Sequence, residues 1–258
     1  MDKTIVICDA DSILYSTSYS NKDKSLEEAI ENMDFFITQI ASACNAESIL
    51  LCLTKGPNYR DQFAVTKPYK GNRKDREYPI YYQELRAHMK DKWKAWIQSG
   101  FEADDLIFIA RTEYSKRYLG RRIILATNDK DCLQYPGIYI DYRKMLFNQI
   151  SEKQAQKSFW EQMIVGDTAD NITGIEGSGP KAAELILVNA DLKGEEYSEV
   201  VLRAYIKKYG EKHGIERFYE SYKLLKLLDS CEEAGLELNQ VPEPLEVDYG
   251  FKDIPEGS

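Results

Sequence analysis

The chain has 258 residues, 43% of them hydrophobic, and a formal charge of −9. That length supports one sizeable core with a small appended module, and no apolar run approaches the roughly 18–20 residues needed to cross a bilayer. An acidic balance excludes a uniformly basic nucleic-acid binder, because phosphate recognition needs positive charge at the contact.

The first residues run straight into a strand pattern with no secretory segment ahead of them, so a soluble, cytoplasmic protein is expected. The five cysteines, Cys8, Cys44, Cys52, Cys132 and Cys231, form no CxxC pair and read as reduced structural residues. His88 and His213 lack zinc-like spacing. Any catalytic metal must then be held mainly by oxygen, which favours Mg²⁺ or Mn²⁺.

In chain order, Thr4 to Cys8 reads as a buried strand ending at Asp9. Leu26 to Ala43 is helical, led by Ser25 with Glu28 three residues later in a capping-box pattern. Ser48 to Leu53 is a second strand. Gly56 to Arg76 is polar and broken by Pro57, Pro68 and Gly71, which predicts a long loop. It is also basic, carrying Lys55, Arg60, Lys67, Lys70, Arg73, Lys74 and Arg76 in and just before it. Tyr81 to Ile97 and Ala103 to Tyr118 are predicted helices, Arg122 to Ala126 a strand, and 138–140 and 145–147 short strands. Helical periods follow at about 151–165, 180–189, 196–208 and 215–229, and the residues after Asp229 lack periodicity, which predicts a partly ordered acidic tail.

Strands alternating with helices imply an α/β, mainly parallel, doubly wound sheet with flanking helices and a helical second half packed against it. The division expected is a core over 1–150, a helical subdomain over 151–230 and the tail over 231–258.

Four acidic clusters punctuate this pattern. Asp9 and Asp11 follow the first strand. Glu102, Asp104 and Asp105 open a helix, Asp129 and Asp131 follow a later strand, and Asp167 and Asp170 follow the helix near Trp160. Each has a plain alternative: a helix cap, a turn or an Asx-rich loop. In a doubly wound sheet, however, groups beyond the carboxyl ends of strands converge in one crevice. So many carboxylates there would repel one another unless cations bind. Two divalent ions about 4 Å apart would neutralise them and hold an in-line phosphoryl displacement.

Two basic features accompany the clusters. PYKGNRK sets Lys70 and Arg73 beside Gly71, an ammonium and a planar fork suited to one phosphate. In GDTADNITGIEGSGPKAAELIL, Gly174, Gly177 and Gly179 crowd a loop before Pro180 and Lys181. Exposed N–H groups at that helix start would cradle phosphate without reading bases.

From Ile5 to about Leu187 these motifs, in this order, resemble the flap endonuclease and 5′–3′ exonuclease superfamily, which includes the nuclease domain of bacterial DNA polymerase I and several bacteriophage exonucleases. The resemblance implies a Rossmann-like nuclease core, a helical arch over about 56–98, and a helix–three-turn–helix motif that grips duplex. It implies that Asp9, Asp11, Glu102, Asp104, Asp105, Asp129, Asp131, Asp167 and Asp170 hold two or more Mg²⁺ or Mn²⁺ ions, directly or through water. Lys70 and Arg73 would contact the scissile phosphate, with Lys74 beside them on the DNA, and Tyr15 would stack on a terminal base. Gly174, Gly177, Gly179 and Lys181 would hold the uncleaved strand, with a K⁺ ion at the loop. A 5′ flap and a recessed duplex both suit the pattern, as do DNA and an RNA–DNA hybrid. A phage-encoded chain would act in the host cytoplasm.

Three departures stand out. Many members carry an aspartate after the second strand, where this chain has Thr54 and Lys55, and many have an arginine where this chain has Ser16. Asp11 is an addition that can compensate in part. Two rival readings follow from the same residues. Asp9-Ala10-Asp11-Ser12-Ile13 also resembles the start of haloacid-dehalogenase phosphatases, but leaves PYKGNRK and the glycine loop without a role. A non-catalytic branched-nucleic-acid binder of the same fold is the other, motivated by Lys55.

Overall fold

The computed structural model describes residues 3–73 and 77–249. The first half comprises β1 (Thr4–Asp9), α1 (Ala10–Ser20), α2 (Leu26–Ala43), β2 (Ala46–Leu53), α3 (Tyr82–Asp91), β3 (Trp96–Ile97), α4 (Ala103–Arg117), β4 (Arg122–Ala126), β5 (Gly137–Asp141) and β6 (Leu146–Ile150). The second comprises α5 (Glu152–Val165), β7 (Gly166–Asp167), β8 (Ile172–Thr173), α6 (Pro180–Lys193), α7 (Tyr197–Tyr209), α8 (Glu211–Leu225), α9 (Cys231–Ala234) and β9 (Leu245–Glu246). No helix of the described residues is long and apolar enough to cross a membrane.

β1 is buried along its whole length because it is the central strand of the sheet β3-β2-β1-β4-β5-β6. It runs parallel to β2 on one side and to β4 on the other, with Ile7 opposite both Leu50 and Leu125. Among the described strands of this sheet, β6 and β9 are the ones that pair antiparallel. Strand alternation divides the apolar side chains between two faces. Val6 and Cys8 join a core with α1, α2 and α3, whereas Ile5 and Ile7 join one with α4. A third core, around Met163, Leu187, Val201 and Phe218, holds the helical second half together. All five cysteines are buried and free.

Several sequence expectations meet a different outcome. Residues 10–20, assigned no helix from the sequence, form α1, because Asp9 caps it with its side chain. The helix expected over Tyr81–Ile97 ends at Asp91. Lys94 takes a left-handed backbone, and the chain extends so that Trp96 and Ile97 pair with Cys52 and Leu53. The two tryptophans consequently fall into different cores, Trp93 with the α1–α3 layer and Trp96 with α4.

Within the described residues of 56–98, α3 is the α-helix of the expected arch, and it lies against α1 and α2 rather than standing free. Asp34 on α2 fastens it, accepting from Trp93 Nε1 at 2.6 Å and Lys92 Nζ at 2.7 Å and standing 3.0 Å from His88 Nε2. The described part of the tail, up to residue 249, is built into the fold. Cys231 and Val241 are buried against α4, and β9 adds to the edge of β2, with Leu245 opposite Ile49. Coverage by this segment explains why consecutive residues Leu106 to Ala110 of α4 are all buried.

Candidate metal and phosphate site

The chain leaves β1 for β2 on one side of the sheet, and β4 pairs on the other. The carboxyl ends at that switch point open a crevice. Asp9 is the last residue of β1, and its Oδ1 accepts from the N–H groups of Asp11 at 3.1 Å and Ser12 at 3.4 Å. The same cap that turns strand into helix thus holds the carboxylate in the crevice, 4% exposed. Asp129 plays the same part beyond β4, capping the tight turn Lys130–Gln134 and accepting from Asp131 N–H at 2.9 Å.

Asp104, in the first turn of α4, faces both of them. Burial, and then the charges of Asp9 and Asp129, push its carboxyl well above the ordinary range. Burial together with Asp11 and Asp129 raises Asp9 to about 7. Burial together with Asp129 and Asp167 raises Asp131 to about 7. Asp167 goes the other way. Burial raises it, but Lys130 at 3.3 Å and the N–H groups of Ala169 and Asp170 hold it below the usual range.

Among the described residues, no three His, Cys, Asp or Glu side chains are gathered into a ready cage for a metal ion. Each carboxylate of the crevice has a local donor instead, as Asp131 has Gln162 Nε2 at 2.7 Å and Asp104 has the Cys132 thiol at 3.3 Å. The donor set nonetheless fits a hard divalent cation. It is all oxygen, with Asp9 and Asp167 buried, Asp104 and Asp131 partly buried and Asp129 exposed at the edge. Burial together with neighbouring carboxylates raises Asp9, Asp104 and Asp131, as expected where negative charge outweighs the cations at hand.

Glu102 and Asp170 form a second group, tied together by the PYKGNRK string. Lys70 Nζ pairs with Glu102 and stands 3.6 Å from Asp170. Arg73 Nη2 reaches Asp170 Oδ1 at 2.6 Å, and the Tyr69 hydroxyl lies 2.8 Å from Glu102 and 3.0 Å from Asp170. Burial opposes ionisation of Glu102, but Lys70 and Arg60 outweigh it and hold the carboxyl below its ordinary value. The Lys70 backbone, at φ 50°, donates to Asp170 O at 2.9 Å, which sets this hinge over the crevice. Lys74 lies outside the described residues.

Two acidic residues stand apart from the inner group. Asp11 leans toward the end of β2, where both its oxygens accept from Thr54 N–H at 3.1 and 3.2 Å and Arg86 stands 3.8 Å away. Asp105 differs more from expectation. Its oxygens take Arg60 at 2.7 and 2.8 Å and Leu228 N–H at 3.0 Å. Both of its oxygens are thus taken by donors of the protein. Glu102 and Asp105 share one helical face by spacing, yet it is Asp104 that points inward with Asp9 and Asp129.

A groove of about 740 Å³ runs beside these groups, lined by Tyr15, Lys55, Lys70, Arg73, Tyr82 and Arg86 among others. Tyr15 is 43% exposed there. In the helical half, α5, β7, β8 and α6 build the glycine loop. Gly174 packs so tightly that a Cβ would come within 2.4 Å of Ile164 O, whereas Gly177 and Gly179 face open space. Gly179 caps α6, Pro180 begins it, and Lys181 is exposed at its start. Sequence reasoning missed Arg60, Tyr69, Lys130, Arg86 and Gln162 as partners of the carboxylates. The first three lie inside stretches already singled out, and Arg86 and Gln162 carry no local signal.

This mainly parallel sheet with a carboxylate crevice and a glycine loop between helices has the fold of the 5′-exonuclease and flap-endonuclease structures. Residues of this chain align over 84% of its length with a bacteriophage T5 flap endonuclease solved as a pseudo-enzyme–product complex with DNA and metal ions, at a TM-score of 0.62 and 17% identity, covering 93% of that chain. A T5 5′-exonuclease with bound zinc aligns over 86% of each chain, at a TM-score of 0.62 and 17% identity.

Similar sequences carry matching names. They include a DNA polymerase I of Rhizobium leguminosarum (33% identical over 111 residues, 39% of this chain and 10% of that protein) and a 5′-3′ exonuclease of Mycoplasmopsis pulmonis (32% over 100 residues, 35% and 33%). A flap endonuclease Xni of Vibrio campbellii is 26% identical over 225 residues, 80% of this chain and 85% of that protein. The chain spans a third or less of the length of the first two of these curated relatives. No protein-family profile matches it.

Proposed function

We propose that this chain is a structure-specific 5′-nuclease that hydrolyses phosphodiesters of DNA bearing a 5′ end or flap. The observation that carries the reading is the convergence of carboxylates in one crevice beyond β1, β4 and the start of α4, where burial and then neighbouring carboxylates raise Asp9, Asp104 and Asp131, with Lys70 and Arg73 hinged over them. The zinc-bound T5 5′-exonuclease and the relatives' names support the same reaction class.

Asp9, Asp104, Asp129 and Asp131, with Asp11, Glu102, Asp167 and Asp170 around them, would hold Mg²⁺ or Mn²⁺. Bound divalent ions supply Lewis-acid stabilisation of charge on the phosphate and an acidified water. Asp105 supports the site through Arg60 instead of joining the ligands. Lys70 and Arg73 would stabilise charge on the phosphate oxygens. Both cations are anchored to carboxylates that neighbour the inner group, so their positions depend on the same crevice. The backbone of Gly177 and Gly179 and the Lys181 ammonium would grip the duplex backbone, which makes affinity independent of sequence, and K⁺ at that loop is part of this proposal. Residues 1–150 then act as nuclease core and 151–230 as duplex-binding module, with 231–249 completing the core rather than hanging free.

The test uses end-labelled 5′-flap, recessed-duplex, single-stranded and RNA–DNA hybrid substrates, each with Mg²⁺ and with chelator. Mg²⁺-dependent release of 5′ fragments, lost in Asp129→Asn while duplex binding persists, is expected. Absence of cleavage on every substrate, or wild-type turnover by Asp129→Asn, contradicts the proposal.

A further inference from the structure

The groove beside the carboxylates carries an aromatic feature that duplex binding and metal binding leave unused. Tyr78, four residues before α3, and Tyr82, its first residue, stack with ring centroids 4.4 Å apart and planes inclined by 29°. Tyr82 is partly buried against the α1–α3 core, whereas Tyr78 is 66% exposed. A ring that rests one face on its neighbour and remains mostly exposed presents its other face to solvent. Large exposed aromatics are otherwise costly to solvate, and this one lines the groove together with Tyr15 of α1.

The charge around the pair selects the class of ligand. The groove is lined by five basic against three acidic side chains. Two of the acidic three are already satisfied, Asp11 by Thr54 N–H and Glu102 by Lys70. Lys55 and Arg143 line the same groove and enter no ion pair among the described residues. Aromatic faces interleaved with unpaired cations suit a strand that offers both phosphates and open base faces. Duplex meets only half of that requirement, since its bases are already stacked.

We propose that Tyr78, backed by Tyr82, is a stacking platform for an unpaired base of the single-stranded 5′ segment, which gives the site its preference for substrates with unpaired nucleotides near the cut. The proposal rests on the nuclease reading above for its substrate, but its test is a binding measurement. A flap DNA with 2-aminopurine among its unpaired nucleotides is titrated with protein in EDTA, beside the same flap built from abasic nucleotides. Wild type is expected to quench the 2-aminopurine and to bind the base-bearing flap on the order of tenfold more tightly than the abasic one.

Tyr78→Ala should lose most of the quench and bring that ratio close to one, and Tyr78→Trp should restore both. Its exposure makes Tyr78 an inexpensive position for folding, and circular dichroism of each variant checks this. Equal binding of the two flaps by wild type, or an unchanged quench and ratio in Tyr78→Ala, overturns the proposal. Cleavage of the flap in Mg²⁺ is scored separately. Quenching that depends on Tyr78 without any cleavage would overturn the nuclease reading and leave the platform in place.

Discussion

Arg60 and Asp105, 45 positions apart in the chain, meet in a bidentate ion pair at 2.7 and 2.8 Å with the arginine side chain 1% exposed. The guanidinium also donates to the backbone oxygens of Leu224 at 3.0 Å and Lys226 at 3.1 Å. One side chain thereby joins the loop after β2, the start of α4 and the end of α8. Arg60→Met leaves a buried carboxylate without its counter-ion, held only by the N–H groups of Leu228 and Glu102, and takes the guanidinium from two carbonyls, so unfolding free energy should fall by about 3–5 kcal/mol. Adding Asp105→Leu should recover much of that loss, because a well-packed apolar pair removes the stranded charge. Denaturant titration of the three proteins checks this, and a single substitution costing less than about 1 kcal/mol would show that the pair is dispensable.

The two kinds of glycine in the α5–α6 loop should separate folding from binding. Gly174→Ala forces a Cβ to 2.4 Å from Ile164 O and 2.5 Å from Gly166 N. It should destabilise the helical half by several kcal/mol, of the order of other overpacking and strain defects, about 1–3 or more. Lys181→Ala touches no packing and should leave the melting temperature unchanged. It should instead weaken duplex binding across all sequences and lower the salt slope by about one. A Lys181→Ala protein with an unchanged salt slope would remove that residue from the DNA contact.

Lys70 tests the phosphate role. Its ammonium is already drawn to Glu102 and Asp170, so Lys70→Met removes a charge without emptying the core. Turnover should fall by about 10²–10³-fold, as for loss of one electrostatic stabiliser, with a smaller effect on KM. A change confined to KM would assign Lys70 to substrate capture alone.

Acidity offers a further check. Asp9 and Asp131 have folded values near 7 against an ordinary 3.8. For an acid raised in the folded state, the unfolded chain releases its proton first. The contribution to stability is complete below the unfolded value and is lost as pH rises through the folded one. In EDTA this part of the stability should therefore decline between about pH 4 and 7. Divalent ions bind the ionised form, so the gain in melting temperature from Mg²⁺ should grow between pH 5.5 and 7.5. A gain that is flat across that window would argue against these two groups as ligands.

Much of the fold was legible because its signals are local. The Ser25–Glu28 capping box forms as its spacing predicts, and the buried runs of β1, β2 and β4 lie at the centre of the sheet. What was not legible depends on distant partners. The sequence ADSILYSTSYS has poor helix formers, and α1 exists because Asp9 caps it and the sheet receives Ile13 and Leu14. β9 is two residues long and is defined by β2, its partner some two hundred positions earlier. At the site, the acidic residues were legible as a set, but their individual duties were not. Glu102, Asp104 and Asp105 fall within four consecutive positions, and the geometry of the α4 start sends Glu102 to Lys70, Asp104 toward Asp9 and Asp105 to Arg60.

The central claim, that the carboxylates beyond β1, β4 and the start of α4 together bind divalent metal, is tested most directly by anomalous diffraction from crystals soaked in Mn²⁺. The account predicts manganese peaks coordinated by Asp9, Asp104, Asp129 or Asp131 and none at Asp105. Ordered crystals with these side chains in place and no manganese among them would contradict it.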